Sequence, residues 1–203
     1  MSYPINLASV LTGNTVSQLH RLRSQGIVIP EVRPYRPPLY SFRDLLALRT
    51  IAFLRGRTSA QRITRAFQSL DLLDLSAHPS EYTLGTDGSS IYVDREGIAT
   101  DLVRSPGSPT IFSFAEVTEA FKDFNDADVV PFHHPSRHVE VNAERLGGWP
   151  TVRGTRIAYE TIGNLVDDET VTTEDVEYYY PSVTAEMAGD VLDFHRRVEA
   201  VAG

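Results

Sequence analysis

Six polar side chains between Gly13 and Gly26 carry groups that can hydrogen-bond phosphate oxygens and base edges: Thr15, Ser17, Gln18, His20, Arg21 and Arg23. Val16, Leu19 and Leu22 recur among them at helical spacing. The apolar three therefore turn inward and leave the polar set largely free. Thr15 with Gln18 three residues on is a capping box, and Gly26 ends the helix. A second set, Arg33, Tyr35 and Arg36, rides on the proline-rich run from Ile27 to Pro38. The apolar start of that run predicts a strand, and its prolines predict an exposed irregular loop. Arginines on such a loop grip phosphates or enter the minor groove.

Other chemistry is poorly supplied. There is no cysteine, hence no disulfide, thiolate nucleophile or sulfur ligand. No serine-histidine-aspartate set, P-loop or metal-ligand spacing occurs, so no enzyme and no cofactor are expected. His133, His134 and His138 invite a zinc reading. Yet Pro135 splits them and no acid or cysteine completes a ligand pattern, so a surface linker is expected there. No apolar run is long enough for a membrane span, and Met1 to Asn6 lack the features of a signal peptide; a cytoplasmic location is expected.

Charge is unevenly divided. Residues 1–75 hold ten arginines against four acids, a net +6, whereas the remaining residues carry −14. The basic end suits phosphate, and the acidic end suits a basic partner.

The elements that must position these residues can be read from periodicity. Leu7, Val10 and Leu11 predict a helix behind Asn6, broken by Thr12-Gly13-Asn14 and followed by the capped helix. Two short helices about a glycine turn fit a helix-turn-helix, with the N-terminal side chains of the second nearest the bases. Leu39-Tyr40 leads to Ser41, which with Asp44 caps a third helix running to about Arg55. Thr58 or Ser59 caps a fourth, with Ile63, Ala66, Phe67 and Leu70 on its inner face. The spacing from Gly13 to Gly26, together with Leu39-Tyr40-Ser41-Phe42-Arg43-Asp44-Leu45, resembles MerR regulators. The resemblance implies a winged helix-turn-helix over residues 1–75, with Arg43 among its DNA contacts. Two departures are plain: there are no metal-sensing cysteines, and Ala77-His78-Pro79-Ser80 ends the helical pattern where a long dimerisation helix would stand.

Residues 76–136 read as a connector and dimerisation element. Short strands at Tyr82–Leu84, Ile91–Val93 and Ile98–Val103 are separated by Asp87-Gly88 and Glu96-Gly97 turns. A Ser113–Glu116 capping box opens a predicted helix through Phe124. Residues 137–203 form a third unit. Val139 and Val141 predict a strand, Gly147-Gly148 a tight turn and Val152 a returning strand. Three helices follow, marked by Tyr159, Ile162, Leu165 and Val166, then by Val176 and Tyr179, then by Met187, Val191, Phe194 and Val198. The expected fold is therefore mainly α with short β elements: a winged helix, a β-hairpin and helix connector, and a three-helix domain preceded by a β-hairpin.

The run Gly148-Trp149-Pro150-Thr151-Val152-Arg153-Gly154-Thr155-Arg156-Ile157, with Tyr180-Pro181 downstream, resembles a small bacterial domain of unknown function. Members of that family commonly occur as antitoxins beside PIN-domain ribonucleases. Joined to a MerR-like N-terminus, it resembles VapB-type antitoxins. The resemblance implies a type II antitoxin that neutralises a PIN-domain ribonuclease and represses its own operon. Partners are then operator DNA and the toxin, in a homodimer or a larger toxin-antitoxin assembly. Residues 157–203 carry eleven acids and two bases, which repels duplex phosphate and favours a protein partner. Arg153 and Arg156 suit the carboxylates of a metal-dependent nuclease, with Trp149 and Tyr180 beside them. Alternatively the two arginines are internal struts paired with Glu140, Glu144 or Glu160. A second reading of the whole chain is a MerR-like transcriptional regulator whose C-terminal half senses a ligand.

Overall fold

The structure, a computed structural model, describes residues 2–73, 75, 77–110, 117–167 and 169–201. Among them are seven α-helices and four small antiparallel sheets, a mixed α/β architecture. No helix among the described residues is long and apolar enough to cross a membrane.

Strand β1 (Tyr3–Pro4) pairs antiparallel with β2 (Leu39–Tyr40). Helix α1 (Ile5–Thr12) starts directly after Pro4 rather than behind Asn6. Pro4, its N-cap, holds φ at −67° just outside the first turn and offers no side-chain capping bond. Helix α2 (Val16–Ser24) follows, with the Thr15–Gln18 capping box formed in both directions. The strand expected at residues 27–29 is absent. The Ile27 N–H instead closes α2 on the Leu22 carbonyl at 3.0 Å, which removes it from any ladder. Helix α3 (Phe42–Arg55) carries the expected Ser41–Asp44 capping box. Helix α4 (Ala60–Leu72) is capped by the Ser59 hydroxyl, which accepts the Arg62 N–H.

The middle of the chain forms one meander, β3 (Leu84–Thr86), β4 (Ile91–Arg95), β5 (Ile98–Asp101) and β6 (Pro109–Thr110), paired in that order. Glu96 and Gly97 make the β4–β5 turn with φ of 54° and 84°, the left-handed pair that matches strand twist. In the β3–β4 turn, Asp87 accepts the Ser89 and Ser90 N–H groups and the Tyr92 hydroxyl. These bonds, the Ser90 N–H foremost, hold its carboxyl well below the usual carboxylate range. Such a depressed group adds stability above its unfolded-state pKa and loses it as pH falls through the folded one. Asp87→Asn is therefore expected to cost about 1 kcal/mol near neutral pH and to flatten the acid limb of the stability profile. Urea titrations at neutral and acid pH measure both effects.

The predicted helix through Phe124 begins outside the described residues, and the part that is described is not helical. Residues 117–119 form a turn, and β7 (Phe121–Lys122) pairs with β8 (Asp128–Val129). Two interactions compete with the helix. Asp123 accepts the N–H groups of Asn125 and Ala127, a local turn bond. The guanidinium of Arg49 takes the carbonyls of Val117, Thr118 and Glu119, which a helix would use internally.

The C-terminal portion follows the expected order: hairpin β9 (Val139–Glu140) with β10 (Thr151–Val152), then α5 (Tyr159–Gly163), α6 (Val176–Tyr179) and α7 (Ala185–Val201). One hydrophobic core runs without a break across residues 75 and 137. Helix α1 lies against both α3 and α7. Tyr3 stacks on Trp149 at 5.5 Å, and Phe42 meets Phe132 edge-on at 5.6 Å. Helices α1 to α3 and the C-terminal helices thus share one interior.

Candidate nucleic-acid interface

The turn before α2 is tightly fixed. Gly13 has φ of 75°, and a Cβ there would stand 2.6 Å from Val129. Buried Asn14 donates to the Leu48 carbonyl at 2.8 Å, tying the turn to α3. Leu19 and Leu22 enter the core, so α2 has one orientation. Thr15, Ser17, His20 and Arg21 stand exposed along it, and Gln18 is half-buried. Gln18 and Thr15 spend one polar atom each on the cap, leaving the Gln18 amide NH₂ toward the outside chemistry.

The loop after α2 holds its arginines by different means. Arg23 donates to the Pro34 carbonyl at 3.1 Å and lies over the Tyr35 ring at 5.1 Å, so it braces the loop. Arg33 Nε donates to the Pro37 carbonyl, and the Arg33 and Leu39 backbones pair across the loop. Tyr35 and Arg36 are exposed at its tip. Arg43 faces Glu31 at 3.8 Å and pairs with Glu81, so its charge is neutralised within the protein. Arg49, one of the ten arginines that make this end basic, is fully buried and contributes nothing to the surface. Helix α4 exposes Arg62 and Arg65, which sequence reasoning counted only as charge.

The histidines do not assemble. His133 and His134 are exposed, His133 bonds the Val141 carbonyl, and His138 lies 3.8 Å from Glu186. Among the described residues the grouping of ligand-type side chains is instead Glu31, Asp44 and His78, with atoms within 4.8 Å of one another. Its hydrogen bonds make it a clasp. Asp44 Oδ2 accepts the N–H groups of Glu31 and Ser41. His78 Nδ1 accepts the Ser80 N–H, so Nε2 carries the proton and donates to Asp44 Oδ1 at 3.2 Å. The contact pins residues 78–81 to the start of α3.

In the C-terminal portion the four candidate residues divide. Trp149 is half-buried between Tyr3 and Tyr159, and Tyr180, also half-buried, packs against the core. Arg153 and Arg156 are exposed. Among the described residues neither forms an ion pair; Glu140 is taken by Arg145, and Arg153 reaches only the Arg137 carbonyl at 3.5 Å. The salt-bridged strut is therefore not formed. Tyr178, 86% exposed, and Tyr179, 50% exposed, stand edge to face beside acidic Glu174 and Glu177. Their adjacency to Tyr180 in sequence hid this, because only the third of the run packs inward.

Comparison with known proteins bears on one segment and on the fold. No curated protein matches the chain. Its fold is similar to that of the crystal structure of Rv2018 from Mycobacterium tuberculosis, with a TM-score of 0.54 over 94% of this chain and 96% of that one, at 17% identity. That likeness speaks for the fold alone. Residues 139–195, which contain the whole Gly148 to Ile157 motif, match the family described as protein of unknown function (DUF433).

Proposed function

We propose that this chain is an antitoxin that acts in the cytoplasm, binds operator DNA through α2 and neutralises a PIN-domain ribonuclease through its acidic C-terminal helices. The observation that carries the reading is α2 itself. Its turn is locked, its apolar side is buried, and its exposed residues are two serines, a histidine and an arginine, with no acid among them. A rigid, polar, acid-free helix flanked by a basic loop is what a major groove accepts. The C-terminal helices offer the opposite charge and an exposed tyrosine pair, and the turn before α5 offers Arg153 and Arg156, which form no ion pair among the described residues. That combination suits a nuclease whose rim is basic and whose metal site is a knot of carboxylates. The protein reads two half-sites as a homodimer joined through residues 76–136.

The full chain titrated onto labelled duplex from its own promoter region is expected to bind with affinity that falls steeply as salt rises. Arg21→Ala weakens binding to the specific sequence by ~1–3 kcal/mol, whereas Arg36→Ala weakens all sequences evenly. Binding that ignores salt, or an Arg21→Ala protein with unchanged affinity, sinks the DNA reading. Co-expression with the adjacent reading frame tests the other half. Arg153→Ala with Arg156→Ala releases the nuclease activity of the complex while leaving the melting temperature of the free antitoxin unchanged.

A further inference from the structure

Two arginines from distant parts of the chain are held on one turn. Arg62 of α4 donates through Nη1 to the Gly88 carbonyl at 3.0 Å, and Arg104, which follows β5, donates through Nη1 to the Ser89 hydroxyl at 3.3 Å. Gly88 and Ser89 belong to the β3–β4 turn, so that turn orients both guanidinium groups and leaves their Nη2 donors for other partners. Arg65 stands one helical turn on from Arg62. The three arginines, with Ser89 and Val103, line an open recess of about 550 Å³ between α4 and the meander, and no acid lines it. All three are exposed, and among the described residues none forms an ion pair. Asp87 and Asp101, the acids of the adjoining turns, spend their oxygens on N–H and hydroxyl donors. Cations gathered in this way repel one another, and a bridging anion with several acceptor oxygens relieves them.

The recess continues a larger basic surface. Arg65 also lines the groove between α2 and α4, whose α2 side carries Gln18 and Arg21. We propose that a duplex read by α2 runs on across α4 to the meander, where a backbone phosphate is held by Arg62, Arg65 and Arg104. This inference rests on the DNA reading above and extends its footprint beyond residue 75. Bases are scarce in that part of the chain, nine against 23 acids, and Lys122, Arg137 and Arg145 are paired within it. Arg104 instead joins the arginines of α4. The length of the row selects the occupant. A single small anion fills the recess but leaves Arg21 unserved, whereas a chain with a phosphate at every nucleotide meets α2 and the recess together. Contacts of this kind position the duplex and carry no sequence information.

Anisotropy titrations of the full chain test the extension, with labelled duplex from its own promoter region and a scrambled duplex of equal length, over a range of salt. Arg62→Ala with Arg104→Ala is expected to weaken both duplexes alike and to lower the slope of log affinity against log salt by about 1. Arg65→Ala, whose side chain makes no bond to the β3–β4 turn, lowers the slope likewise, so a disturbed turn is not what is read. Arg95→Ala removes the same charge at the opposite end of β4 and leaves the slope unchanged. A parent chain that binds duplex with a steep salt slope, together with Arg62→Ala/Arg104→Ala and Arg65→Ala proteins of unaltered slope, overturns the extension and leaves the DNA reading standing. So does calorimetric binding of inorganic phosphate that the double variant abolishes without changing duplex affinity, which assigns the recess to a free anion. A parent chain that ignores duplex DNA removes both.

Discussion

Arg49→Met lowers the free energy of unfolding by about 3–5 kcal/mol, the largest single loss expected from any surface-neutral change in this protein. The side chain is fully buried, and its guanidinium donates to the carbonyls of Leu11, Val117, Glu119 and Val130 at 2.6–2.9 Å and to Thr118 at 3.4 Å. The rings of Phe121 and Phe132 cover it at 5.0 and 5.7 Å. Burial pulls its pKa down to about 10, which measures how costly the charge is to hold there. Methionine fills much of the volume but offers no donor, so buried carbonyls lose their partners together. Arg49→Lys recovers part of the loss, since an ammonium reaches some of these oxygens but cannot span them all. Urea unfolding of the three proteins reads the order directly. A methionine variant within about 1 kcal/mol of the parent would show that water replaces the guanidinium at little cost.

The second large effect is at Gly148. Its φ is 87°, and a Cβ there would stand 2.5 Å from the Phe42 ring and 2.7 Å from the Tyr3 hydroxyl. Gly148→Ala therefore combines a left-handed backbone with an overlap against buried Tyr3 and half-buried Phe42, for a loss of about 2–4 kcal/mol. The contact lies where the start of α3 and β1 meet the turn before β10. The variant is accordingly expected to lower one cooperative transition, monitored at both Trp149 fluorescence and helical circular dichroism. Two separated transitions would mean that the N-terminal elements melt apart from the C-terminal ones.

Most helices of this fold were legible, and the reasons are local. Thr15–Gln18 and Ser41–Asp44 announce helix starts because the capping bond lies within four residues. Glu96-Gly97 announces a turn because the left-handed pair needs no distant partner. What sequence could not show was the destination of polar groups across long separations. Arg49 looked like one more surface cation in a basic segment, and only its partners thirty-eight to eighty-one residues away reveal otherwise. In the described part of the helix expected through Phe124, the same arginine takes the carbonyls of Val117, Thr118 and Glu119. In the candidate interface, Arg21 and Arg36 stand exposed as their positions imply, whereas Arg23 and Arg43 are taken by Tyr35 and by Glu31 and Glu81. The three units read from composition are joined by aromatic contacts between Tyr3, Trp149, Phe42 and Phe132, none of which leaves a periodic signal.

The seating of α1 against α7 has a consequence for biosynthesis. Tyr3, Leu7 and Leu11 leave the ribosome well before their covering surface in residues 149–198 is made. At roughly 5–20 residues per second the nascent chain spends on the order of ten seconds with that apolar face open. Over this interval the early helices are substrates for chaperones and proteases, and the pairing of such distant segments makes the closing step slow. A ribosome stalled before residue 185 would hold α2 in a chain whose helix α1 lacks the cover of α7, so the seating of α2 is tied to the synthesis of α7.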